Sequence, residues 1–187
     1  MEHDSLHERG RALEEEYFRK KDKELLEKMR QAAAAEQARA DMGAKTGLDA
    51  AAAKDLQELG FTLETLSLLP LVPLVQVAWA DRGVTVEERA AVVTLARARG
   101  IAEGSAADRQ LTSWLTSKPA DSVFTQATRL ITAMLDSAPS AVGMSPEDLV
   151  KYCESIAHAS GGVLGIGTVA ADEKAILTSL ASALRKR

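Results

Sequence analysis

Three carboxylates, Asp81, Glu87 and Glu88, are the residues of this sequence best spaced to do chemistry. They flank the short loop Asp81-Arg82-Gly83-Val84, between an apolar segment and the start of a helix at Thr85-Val86-Glu87-Glu88. Hard cations such as Ca²⁺ and Mg²⁺ take oxygen ligands, and Ca²⁺ wants roughly six to eight of them. Three carboxylates are a start on such a shell and fall well short of filling it. The same acids have a second use. Thr85 and Glu88 are spaced as a capping box, in which the hydroxyl receives the Glu88 N–H and the carboxylate reaches back to the Thr85 N–H. Glu87 and Glu88 also complement the positive end of the helix dipole, and on that reading Asp81 simply closes the turn.

Other reactive types are sparse. Cys153 is the only cysteine, which rules out an internal disulfide. His158 is its nearest histidine, but five residues along a helix is about 140° of rotation, so the two do not face each other. A packed thiol is the expectation. His3 and His7 are four apart near the terminus, with only Asp4 and Glu8 beside them. The run Gly161-Gly162-Val163-Leu164-Gly165-Ile166-Gly167 lacks the preceding strand and the Gly-Lys-Ser/Thr ending of a phosphate loop, so it reads as a helix stop and an apolar loop. Trp79 and Trp114 read as core or interface anchors. No positioned nucleophile–base set emerges, and the chain is expected not to be an enzyme. A pocket gathering Asp81, Glu88 and Glu173 would reverse that expectation.

The elements that must position these residues are helical. The chain has 187 residues, 46% of them hydrophobic and only 4% aromatic, so Ala, Leu and Val supply the core. Ala and Leu lose little side-chain entropy in helices, and no alternating run of strand length stands out. The expected fold is all-α: a compact helical bundle over 45–187, preceded by a charged helical arm over 1–44. In the arm, Glu15/Arg19, Glu16/Lys20 and Glu24/Lys28 are spaced for intrahelical ion pairs. Leu6, Leu13 and Tyr17 share one face, and Phe18, Leu25 and Met29 another about 120° away. That pattern suits packing on two surfaces, or a bent arm, better than a simple two-stranded coiled coil. Gly43 and Gly47 bracket an expected break, and a short helix follows from about Leu48 to Leu59, stopped by Gly60. Thr62 is placed to cap another turn.

Leu68 to Ala80 is apolar nearly all round, the mark of a covered, central helix. Pro70 and Pro73 fit only its first turns. Further helices are expected from Thr85 to Arg99 with Gly100 as the stop, from Ser105, from Pro119, from Ser145-Pro146, and from about Ala171 to Leu184. Val84-Thr85-Val86-Glu87-Glu88-Arg89 can be laid over Val169-Ala170-Ala171-Asp172-Glu173-Lys174, which suggests a worn internal two-fold repeat.

The stretch Leu74-Val75-Gln76-Val77-Ala78-Trp79-Ala80-Asp81-Arg82-Gly83-Val84-Thr85-Val86-Glu87-Glu88-Arg89-Ala90 resembles the signature of TerB-like (tellurite-resistance B) proteins. There, an apolar helix ends in Ala-Asp-Gly, followed by an aliphatic residue, spacers, paired acids and an amphipathic helix. The resemblance covers about residues 65–187. It implies a helical bundle of two related halves, a link to stress resistance and membrane-associated assemblies, and a divalent cation, Ca²⁺ or Mg²⁺, with Asp81 as the loop aspartate and Glu87 and Glu88 as the paired acids. Two departures bear on that site. Arg82-Gly83 puts a cation where the family has Gly and a polar residue, and Ile166 stands where the second half would repeat Asp81.

The formal charge of −4 and the lack of a basic face beyond Arg185-Lys186-Arg187 argue against nucleic acid as a partner. The apolar run is too short and too proline-broken to span a bilayer, no signal peptide is visible, and a cytoplasmic location is expected, with peripheral membrane association left open. The leading functional expectation is a non-enzymatic, TerB-like interaction module, tuned by a divalent cation. The alternative is a structural oligomer or adaptor whose arm, residues 5–44, docks on itself or on a protein partner.

Overall fold

The structure, a computed structural model, describes residues 2–80, 83–159 and 171–185, with side chains for residues 11, 13–80, 83–159 and 171–184. The fold is all-α, and no strand occurs among the described residues. By its internal contacts the chain divides into two units, Met1–Arg39 and Ala40–Arg187.

The first unit is helix alone, the greater part of α1 (Glu2–Thr46). Ala, Glu, Lys, Arg and Leu dominate it, residues that cost little to hold in a helix. The expected Glu15/Arg19, Glu16/Lys20 and Glu24/Lys28 pairs are not closed; Lys21 instead meets Glu24 at 3.4 Å. Exposed pairs gain too little in water to hold two long side chains in one geometry. The break expected between Gly43 and Gly47 falls at the far end of that interval, since α1 runs through Gly43 to Thr46. Gly43 is there for closeness: a Cβ on it would stand 3.1 Å from the Leu48 carbonyl oxygen. The turn comes at Gly47, whose φ of +70° is the left-handed region open to glycine. The buried Thr46 hydroxyl donates to the Met42 carbonyl and receives the Leu48 N–H.

In the second unit α2 (Ala50–Glu58) begins where the Asp49 carboxylate accepts the Ala52 N–H. Thr62 and Thr65 bind each other's backbone in the turn that follows. The apolar run then divides into a 3-10 helix (Leu66–Leu71) and a short α3 (Val72–Ala78). The single helix expected here is split by its prolines: Pro70 lies in the 3-10 segment, and Pro73 lies in the first turn of α3, where a missing N–H costs nothing. This run is the centre of the core. α3 touches α4 (Val86–Ala98), α6 (Asp121–Ser137), α8 (Pro146–Ala159) and α9 (Ala171–Arg185).

Local rules set most helix ends. α4 closes with Gly100 N–H on the Arg97 carbonyl and Ile101 N–H on the Ala96 carbonyl, a Schellman pair. Ser105 caps α5 (Ala106–Thr116) through the Asp108 N–H, and Ser145 caps α8 through the Asp148 N–H. A short α7 (Pro139–Val142) stands where no helix was expected. Tertiary ties are made largely by α4 arginines. Arg89 donates to the Leu115 carbonyl at the end of α5, Arg97 joins the Ile101 carbonyl to Asp108, and Arg99, its C-cap, donates to the Val142 carbonyl at the end of α7. Glu88 on α4 and Glu173 on α9, which the internal alignment superposes, are both buried (2% and 1% exposed).

Candidate functional site

The expected cation site begins where α3 ends. The Trp79 indole N–H donates to the Trp114 carbonyl at 2.7 Å, and the Trp114 ring meets Phe61 edge-on, so the end of α3 is anchored to α5. Trp79 and Trp114 are thus anchors, as their types suggested. Asp81 and Arg82 lie outside the described residues. Beyond them the chain re-enters through Gly83 and Val84 to Thr85.

At Thr85 the capping box is complete. One carboxylate oxygen of Glu88, Oε2, accepts the Thr85 N–H at 2.7 Å and its hydroxyl at 2.9 Å, while the Glu88 N–H donates to Thr85 Oγ1 at 3.2 Å. Glu88 is buried by this arrangement; Glu87, the next residue round the helix, faces solvent. The two acids therefore do not converge. Among the described residues no group of three His, Cys, Asp or Glu side chains is placed to hold a metal ion. Glu88 is held by its own helix start, and Glu87 alone supplies a free carboxylate, against the roughly six oxygens that a hard cation demands. The described residues do not fit a divalent cation. With Asp81 outside the described residues, the cation expectation is checked in solution: a rise in melting temperature with millimolar Ca²⁺ or Mg²⁺, abolished by Asp81→Ala, supports it, and no rise removes it.

Cys153 is buried on α8, and His158 on the same helix is exposed, so the pair makes no nucleophilic couple. Burial, with Glu154 nearby, pushes the thiol up to about 12. It stays protonated and unreactive. A disulfide reagent such as DTNB is expected to find no thiol in the native protein and one per chain after denaturation; rapid native labelling would contradict the burial. The glycine-rich run 161–167 falls outside the described residues, as do the side chains of His3 and His7.

Two of the grooves among the described residues are roomy enough to consider. One, of 490 Å³, runs between α6 and α9 over Gln76. Its Thr128 and Thr132 hydroxyls donate to their own helix, and its Arg129 is paired with Asp55. The other, of 560 Å³, lies by Leu135, Pro139, Met144 and Leu184, with Glu147 its charged residue. Neither brings a nucleophile to a base. Thr128, Thr132 and Arg129 are thus used within the fold. Asp108 illustrates this: the Gly104 N–H and then the Arg97 guanidinium hold its carboxyl below the usual range.

What stands out instead is on α1. Leu13, Tyr17, Phe18, Leu25, Leu26 and Met29 are exposed. Five of these were legible as two faces at helical spacing. Leu26 was missed because it falls off both faces, although its place beside Leu25 was a signal. No protein-family model, no curated protein and no solved structure matches this chain. No described helix is long and apolar enough to cross a membrane.

Proposed function

We propose that this protein is a non-enzymatic interaction module, in which α1 carries the contact surface and the second unit is the folded body. One observation carries the reading: six large apolar side chains of α1, Leu13 through Met29, stand 55–68% exposed. Single exposed hydrophobics need no explanation, but a series of them along one element marks a surface built to be covered. Helices lay apolar faces into partners in this way. The TerB-like reading of the body draws support from the complete capping box at Thr85 and from the burial of both Glu88 and Glu173, which the internal alignment superposes.

The test compares tagged full-length protein with a Tyr17→Glu/Leu25→Glu variant, both expressed in the native cell and both purified. Wild type is expected to retain a stoichiometric companion, a second protein or a second copy, that the variant loses while its melting temperature holds. A wild type that stays solitary in both settings overturns the reading.

A further inference from the structure

We draw no further inference here: the strongest candidate, the groove between α6 and α9 over Gln76, has its threonine hydroxyls and Arg129 already used within the fold, and nothing in the structure shows what covers it.

Discussion

Leu74→Ala is expected to destabilise the body by about 2–5 kcal/mol, the range for removing a buried leucine from a core. For a chain of this size that is a fall of roughly 5–20 °C in melting temperature. Leu74 is fully buried, as are Val75 and Val77 beside it on α3. The loss has two parts, the transfer energy of the deleted atoms and the void they leave, and the second depends on whether neighbours can move in. Here they are poorly placed to do so. α3 has four helices against it and enters through a 3-10 segment carrying Pro70, with Pro73 in its own first turn. A helix held on every side cannot lean into a hole without opening another. Denaturant unfolding followed by far-UV circular dichroism checks this, and a midpoint indistinguishable from wild type would mean that α3 is not the core.

That centrality was legible in the sequence, because an all-round apolar run has only one place to go. The helix ends were legible for a different reason: caps and stops are chemistry within four or five residues. Thr85 with Glu88, Ser105 with Asp108, and Gly100 with Ile101 each close on themselves with no help from distant chain. The readings that missed depend on how the chain packs once folded. Gly43 is a helix breaker by type, yet it sits in a helix, where the Leu48 carbonyl leaves a side chain only a tight 3.1 Å. Arg89 and Arg99 look like ordinary surface charge until α5 and α7 bring carbonyls to them, as does Arg97 until α5 brings the Asp108 carboxylate. The candidate site was half legible. Acids at a helix start serve a cap as readily as a cation, and the burial of Glu88 in its capping box shows the first use for that residue, which spacing alone does not.

Gly47→Ala is expected to cost about 2–5 kcal/mol, combining the left-handed conformation, roughly 1–2 kcal/mol for a residue with a Cβ, with overpacking of roughly 1–3 kcal/mol. The conformational part follows from φ of +70°, and the steric part from a Cβ that would stand 2.6 Å from the Ala138 Cβ. Neither partner yields easily. Thr46, just before Gly47, is tied by its buried hydroxyl, and Ala138 closes α6 through a 2.7 Å bond to the Met134 carbonyl with Pro139 fixed behind it. Two companions separate the terms. Gly60 has φ of +84° with nothing within 4 Å of its missing Cβ, so Gly60→Ala is expected to show the conformational cost alone. Adding Ala138→Gly to Gly47→Ala is expected to recover the steric part and leave the remainder, a coupling that a double-mutant cycle reads directly. If Gly47→Ala costs no more than Gly60→Ala, the close approach of residues 47 and 138 is not what fixes the end of α1 against the end of α6.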